Sequence, residues 1–313
     1  MEFKNGHIDT IGSKSENPII LLYGGHGWVG RQLAPILEQN GLTYYLAKCR
    51  PGVDSDANVA KELDAISPTH VVCLVARLRD QLEALEEPDR LAINIRDNFF
   101  APCLLAVLCE KRNIHFTYVG TGCLYQYDQQ HPIGGPGYKE TDPPNYFGND
   151  YSVMKGRLDQ MLANFDNAFI ARIRLPVNFD SNDAWNLTTK VINFKRIVDV
   201  PNSITVLPDI LPLMCDLMLR RYVGVLNMCN PGPICHSQTL KLYKELVDPE
   251  KSWETIEGNT PEPGDAKIRQ TRANCTLDTT KLEQLFPTLR PAIEAIRDFA
   301  IETTECQRIT NFG

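Results

Sequence analysis

The chain has 313 residues, 43% of them hydrophobic, and a formal net charge of −7. A chain this long buries about 75% of its unfolded surface and needs no staples; it holds one large domain or two closely packed ones. It carries no basic stripe, which argues against nucleic acid as the main partner, and the mild negative charge reads as ordinary solubility.

Residues 1–17 are polar (Lys4, Asn5, His7, Asp9, Lys14, Glu16) and lack the apolar core of an export signal, so a flexible arm is expected there. No apolar run is seen to reach the roughly 18 residues of a membrane span. The ten cysteines include no C-x-x-C pair, and Cys73, Cys103, Cys109, Cys215 and Cys229 sit in apolar runs. Reduced thiols in a cytoplasmic protein are the expectation.

Residues 18–23 form a short continuous apolar run, as a buried parallel strand requires. Gly24-Gly25-His26-Gly27-Trp28-Val29-Gly30 follows at once, and Leu33, Ile36 and Leu37 then recur at helical spacing. A tight strand-to-helix turn needs residues without Cβ, and a pyrophosphate needs bare N–H groups at a helix start. Gly24, Gly27, Trp28, Val29 and Gly30 are thus candidate cofactor residues, although the Trp28 ring is more readily a packing group. The bland alternative is a structural turn.

Thr43–Ala47 reads as the second strand, followed by Lys48-Cys49-Arg50. An NAD site usually places a carboxylate here for the ribose hydroxyls, whereas cations accommodate a 2′-phosphate, so Lys48 and Arg50 favour NADP. A helix over 59–66 and a strand over 70–76 come next, bringing Ala76 and Arg77 near a cofactor. A short helix is expected over 81–87, ended by Pro88. A long amphipathic helix covers 93–111, with Asn98 near its start as a candidate cofactor residue and Pro102 expected to kink it. Residues 115–119 form a strand that delivers Gly120-Thr121-Gly122-Cys123 at its C-terminal end, the edge where open parallel sheets bind ligands. After a Pro/Gly-rich loop, Tyr151–Leu162 has helical spacing and places Tyr151 and Lys155 on one face. Residues 168–173 are a further strand.

Beyond Pro176 the pattern loosens. Helices are expected over 185–194, 210–220 and 237–247, and short strands over 203–206 and 225–227. The whole reads as an α/β chain: a doubly wound parallel sheet over 18–175, then a smaller substrate-binding lid over 176–313, with parts of 203–230 returning to the sheet.

A tyrosine phenol titrates near pH 10, too high for free proton exchange at neutrality, and a lysine one helical turn away lowers it. Such a pair can act as general acid to a ketone oxygen receiving hydride, with the Thr121 hydroxyl beside it and Lys155 also holding the nicotinamide ribose. Cys123 lies two residues past Thr121, where a strand would place both on one face. A thiol there can exchange the acidic protons flanking a ketone; its bland reading is packing.

These residues resemble the extended short-chain dehydrogenase/reductases, through Gly24-x-x-Gly27-x-x-Gly30, Asn98, Thr121 and Tyr151-x-x-x-Lys155. More narrowly they resemble the nucleotide-rhamnose synthase/epimerase-reductase group, through Thr121–Asp128, Gly137–Glu140, Asn145–Gly148, Arg172–Pro176, Asn186–Lys190 and Val200–Leu207. The resemblance spans about residues 18–300 and implies a Rossmann sheet. It implies Thr121, Tyr151 and Lys155 as the reductase triad, and Cys123 with Lys190 as the epimerising acid/base pair. Asn186 and Arg272 are implied near the nucleotide sugar. NADPH is the implied cofactor, with NADH as an alternative, and no metal is implied. The implied partners are a nucleotide-sugar substrate and, through the helices at 93–111 and 151–162, a second copy of the chain. The implied reaction is 3,5-epimerisation then 4-reduction of a nucleotide-linked 4-keto-6-deoxy-hexose. The rivals are a plain 4-ketoreductase, a non-catalytic NADP-binding regulatory subunit, and a UDP-sugar 4-epimerase holding NAD.

Overall fold

The computed structural model describes residues 11–12, 17–78, 82–86, 88–180, 183, 185–256 and 272–311. Most of the expected N-terminal arm, and both ends of the expected helix at 81–87, lie outside the described residues.

By its internal contacts the chain forms two interleaved units. The first is Met1–Leu124, Asn149–Arg172 and Leu211–Leu226; the second is Tyr125–Gly148, Ile173–Ile210 and Asn227–Gly313. Along the sequence the chain crosses between these units five times, and Leu211–Leu226, within the stretch expected to return to the sheet, belongs to the first unit.

The main sheet has six strands in the order β2-β1-β3-β4-β5-β7. These are β1 (Ile19–Tyr23), β2 (Thr43–Leu46), β3 (His70–Cys73), β4 (His115–Thr121), β5 (Ala168–Ile173) and β7 (Gly224–Asn227). β1 pairs in parallel with both β2 and β3, and β3 in parallel with β4. Position in the sheet follows from composition. The all-apolar β1 is an interior strand, paired on both sides, whereas β2 alternates exposed Thr43 and Tyr45 with half-buried Tyr44 and Leu46, as an edge strand can. The chain goes one way from β1 to β2 and the other way to β3. The crevice at the C-terminal ends of β1 and β3 is the switch point at which such sheets bind ligands.

Helices α1 (Trp28–Gln39), α2 (Asp56–Ile66) and α5 (Asp150–Leu162) follow their strands. The Asn149 side chain caps α5 by accepting from Ser152 N at 2.8 Å. The long helix expected over 93–111 is instead α3 (Asp89–Ile95), a π turn at Arg96–Phe100, and α4 (Ala101–Glu110). Pro102 has no N–H to give the preceding turn. The wider π turn puts it at the second position of α4, where no donor is needed, so the axis continues instead of breaking. Contrary to the expectation from apolar runs, Asp89–Glu110 is long and apolar enough to cross a membrane, with mean hydropathy 1.4. Its Leu105, Ala106 and Cys109 are nonetheless fully buried in the sheet's core, together with Leu21, Val71, Phe116, Tyr118, Leu158 and Leu162. Burial of this kind contributes roughly 1.5–3 kcal/mol per large aliphatic side chain.

One ion pair fixes α5 to the sheet. Arg172 on β5 donates from Nε and one terminal nitrogen to the two oxygens of Asp159, at 2.9 and 2.6 Å, with both side chains almost fully enclosed.

The second unit has its own core of Val177, Ile204, Val206, Ile234, Leu242, Ala292, Ala295 and Ile296. A two-stranded parallel sheet joins β6 (Arg196–Val198) to β8 (Glu254–Ile256). The strand expected over 203–206 does not form. Ser203 N donates to Cys275 O and Thr205 N to Arg174 O, while Asn202 pairs with Ile234. Successive residues bond different segments, so no single ladder exists. The helix expected over 185–194 shrinks to α6 (Leu187–Ile192), because Asn186 is extended and caps it. α7 (Leu207–Leu219) and α8 (His236–Leu246) lie close to their expected places. α9 (Thr280–Leu285) and α10 (Ala292–Asn311) were not foreseen.

Replacing Asp159 by Ala removes the carboxylate that faces the buried Arg172 guanidinium. The unfolding free energy in urea should fall by about 3–5 kcal/mol; a loss below about 1 kcal/mol would show that this pair does not hold α5.

Candidate active site

The turn after β1 is shaped by what cannot fit in it. Gly24 has φ +79°, and a Cβ there would lie 2.9 Å from the carbonyl carbon of Leu74. Gly30 packs so close to the Gly25 backbone that any Cβ would overlap it. Gly27 donates to Gly24 O at 2.9 Å and opens α1 with no side-chain cap and no acidic residue in the first turn. A helix start with no side-chain cap and no acidic residue in its first turn fits a dinucleotide pyrophosphate. Trp28 and Val29 are half-buried at the helix start.

At the other ends of the crevice, Lys48 and Arg50 are exposed beyond β2. β3 stops at Cys73, three residues sooner than expected, so exposed Ala76 and half-buried Arg77 lie on the loop that follows. Asn98 corrects an expectation. It was expected to meet the cofactor, but it is fully enclosed, accepting from Arg77 N at 3.0 Å and donating to Arg77 O at 2.8 Å and to Asn94 at 2.9 Å. It holds the Arg77 backbone in place instead. Asp97, beside it on the π turn, takes both Arg77 and Arg96.

β4 ends at Thr121, so Cys123 is not on the strand and shares no strand face with Thr121. A turn links the two: Cys123 N donates to Thr121 Oγ1 at 3.1 Å. With one lone pair so engaged, the hydroxyl keeps its proton to donate elsewhere. α5 presents Tyr151 half-buried and Lys155 only 2% exposed. Lys155 Nζ donates to the Tyr118 hydroxyl at 2.8 Å and lies 5.9 Å from the centre of the Tyr151 ring. Burial pushes the Lys155 ammonium down to about 8 and lifts the Tyr118 phenol well above its usual range. A cation kept desolvated beside two phenols can stabilise a developing phenolate.

In the second unit, Asn186 corrects another expectation. It is fully buried, and its amide donates to the carbonyls of Asn178 and Asp180 while accepting from Thr188. It therefore orders the chain that carries Lys190 and has no surface for substrate. Lys190 is half-buried in the last turn of α6, with Nζ 5.7 Å from the Trp185 ring centre. Arg272 is exposed and close enough to His236 to add to the effect of burial, which pushes that imidazole down to about 4. Among the described residues no cluster of His, Cys, Asp or Glu could hold a metal ion.

Sequence reasoning missed Tyr118 and Asp159. Both leave a trace: a tyrosine on the strand three residues before Thr121, and an aspartate one helical turn beyond Lys155 on the same face.

Residues 20–179 match the NAD dependent epimerase/dehydratase family. The chain is 34% identical over 283 residues to protein L780 of Acanthamoeba polyphaga mimivirus, covering 89% of this chain and 96% of that one. The crystal structure of the L780 UDP-rhamnose synthase superposes with a TM-score of 0.84 at 31% identity, over 91% and 99% of the two chains. A bifunctional dTDP-4-dehydrorhamnose 3,5-epimerase/dTDP-4-dehydrorhamnose reductase of Arabidopsis thaliana is 31% identical over 296 residues, 94% of this chain and 96% of its own. A dTDP-4-dehydrorhamnose reductase of Bacillus anthracis, solved with NADP, shares the fold with a TM-score of 0.70 at 17% identity, over 93% and 100% of the chains.

The buried Lys155 has a measurable signature in the cofactor-free protein. Its ammonium titrates near 8 when folded and near 10.5 when free. Between those values the unfolded chain binds the extra proton, so folding stability rises with pH. Relative to Lys155→Met, the wild type should gain up to about 1.4 kcal/mol per pH unit from pH 8 to 10 in urea titrations. Parallel pH profiles for the two proteins would mean that the ammonium is not desolvated.

Proposed function

This chain belongs to the NAD dependent epimerase/dehydratase family, and we propose that it converts a UDP- or dTDP-linked 4-keto-6-deoxy-hexose to the L-rhamnose-type nucleotide sugar, by 3,5-epimerisation and NADPH-dependent 4-reduction. One arrangement carries this reading. Lys155 is buried between Tyr118 and Tyr151, under the strand end where the Cys123 N–H orients the Thr121 hydroxyl. NADPH, when bound at the glycine turn, supplies the hydride.

The chain's residues do the rest. Tyr151 gives its proton to the C4 oxygen, and Lys155 stabilises the phenolate left behind. Thr121 donates to the same oxygen and polarises the ketone before reduction. The Cys123 thiol and Lys190 are the proposed pair that removes and returns protons at C3 and C5, the carbons whose hydrogens the ketone acidifies. Lys155 has further ammonium protons for the nicotinamide ribose beyond the one given to Tyr118. Arg272 is proposed to contact the nucleotide phosphates. Lys48 and Arg50 are proposed to contact the 2′-phosphate, and the exposed Ala76 and the Arg77 loop to flank the cofactor.

For partners, we assign pairing with a second copy to the exposed apolar side chains Leu91, Ile95, Phe100, Val107 and Met161. The core-facing residues of Asp89–Glu110 speak against a membrane role, and the net charge speaks against nucleic acid. Free thiols throughout the described residues accord with a reducing compartment, which we take to be the cytoplasm.

The test is incubation with UDP-4-keto-6-deoxyglucose in heavy water, with and without NADPH. Wild type should take up deuterium at C3 and C5 and, with NADPH, reduce the C4 ketone to a rhamnose product as NADPH is oxidised to NADP. Cys123→Ala should lose the deuterium uptake. Tyr151→Phe should keep it and reduce about 10²–10⁴-fold more slowly. NADPH oxidation without deuterium in the wild type would leave a plain reductase.

A further inference from the structure

The C-terminal end of β2 does carry a carboxylate, but its orientation is unusual for a ribose ligand. Glu62 reaches the loop from α2. Its Oε1 accepts from Lys48 N at 2.6 Å and Cys49 N at 3.1 Å, and its Oε2 accepts from the Tyr23 hydroxyl at 3.0 Å. Tyr23 is 1% exposed at the end of β1, so the carboxylate is anchored on its inner side to the core. A carboxylate has about four lone-pair sites, and these three donors, with Cys49 N also 3.3 Å from Oε2, occupy nearly all of them.

The next turn is closed in the same way. Arg50 N donates to Asp54 Oδ2 at 2.6 Å, and Val53 N and Asp54 N both return to Arg50 O at 2.9 Å. Two carboxylates thus hold the backbone of residues 48–54 by charge-assisted bonds. The side chains of Lys48 and Arg50 remain exposed on the outer surface.

A carboxylate that accepted ribose hydroxyls would select NAD, and its charge would repel a 2′-phosphate. We infer that Glu62 is a positioning residue for cofactor choice: turned inward onto the Lys48 and Cys49 amides, it fixes the loop so that Lys48 and Arg50 together meet the 2′-phosphate of NADPH. The inference rests on the proposed reading of the glycine turn as a nicotinamide dinucleotide site.

Direct binding tests it without any sugar substrate. Full-length wild type, Glu62→Ala and Glu62→Gln are titrated with NADPH and with NADH, following nicotinamide fluorescence. Wild type should prefer NADPH. Glu62→Ala should weaken NADPH roughly tenfold or more and leave NADH within about twofold. Glu62→Gln should keep the preference, since its oxygen can accept from the amides while its NH₂ donates to Tyr23. In a Lys48→Ala/Arg50→Ala background, Glu62→Ala should change the NADPH-to-NADH ratio no further, because Glu62 acts through those two side chains.

Equal weakening of both cofactors would reduce Glu62 to a folding role and overturn the inference. So would a rise in NADPH preference on Glu62→Ala, which is what a ribose-binding carboxylate gives. A wild type that binds both cofactors equally overturns it too. A wild type that binds neither overturns the dinucleotide reading itself and this inference with it.

Discussion

The hydrogen bond from the Lys155 ammonium to the Tyr118 hydroxyl is the interaction around which the first unit is arranged. An ammonium in the interior is costly unless its donors are used and its position is fixed. Each neighbouring feature serves that need. The Asn149 cap sets where α5 starts, and the Arg172–Asp159 pair ties its middle to β5. Leu158 and Leu162 bury the remaining face against the core. What results is a cation held ready, in a place where water cannot compete for it. The second phenol, Tyr151, lies one helical turn away on the same helix. Thr121 is delivered by the strand that carries Tyr118, so one β-strand and one helix fix all four groups.

Much of this could be read from the sequence because the physics was local. A run such as Ile19–Tyr23 can only be a strand buried on both faces. A glycine that needs positive φ, followed by helical spacing, marks a strand-to-helix turn. Tyr151 and Lys155 are neighbours as soon as a helix exists. What could not be read depended on tertiary partners. Asn98 and Asn186 look like ligand-binding amides in a sequence, but each is enclosed by backbone groups from segments that folding brings to it. Residues 203–206 have strand composition, yet their amides are claimed by Arg174 and Cys275 before a ladder can form. β6 and β8 are three residues each, too short to show a period. Cys123 was placed near Thr121 for the wrong reason: a turn hydrogen bond brings them together, not a shared strand face.

The interleaving of the two units has a similar origin. The strand β7 completes the six-stranded sheet although it lies about 50 residues beyond β5 in the chain, within the stretch that the sequence reading returned to the sheet. Residues 125–148, which connect Cys123 to Tyr151, are internally tied. Asn145 donates to Gln126 O and to the hydroxyl of Tyr138, and Tyr138 stacks between His131 and Tyr125. A segment rich in proline and glycine thus gains order from side chains rather than from backbone ladders, which periodicity cannot reveal.

The π turn at Arg96–Phe100 makes the helical run a splice of two phases. An α-helix advances about 100° per residue, so one surplus residue kept in α geometry would rotate everything before it by that angle relative to everything after it. The stretch that presents Asn98 to the Arg77 backbone and the stretch that buries Leu105 and Cys109 are thereby aimed independently, although they share one axis. In a homologous chain, a gap of a single position between residues 96 and 100 would close the wide turn to an ordinary α turn, keep both faces aimed as they are, and leave Pro102 facing a carbonyl it cannot satisfy. Alignment gaps at this point therefore carry geometric information that a substitution score does not record.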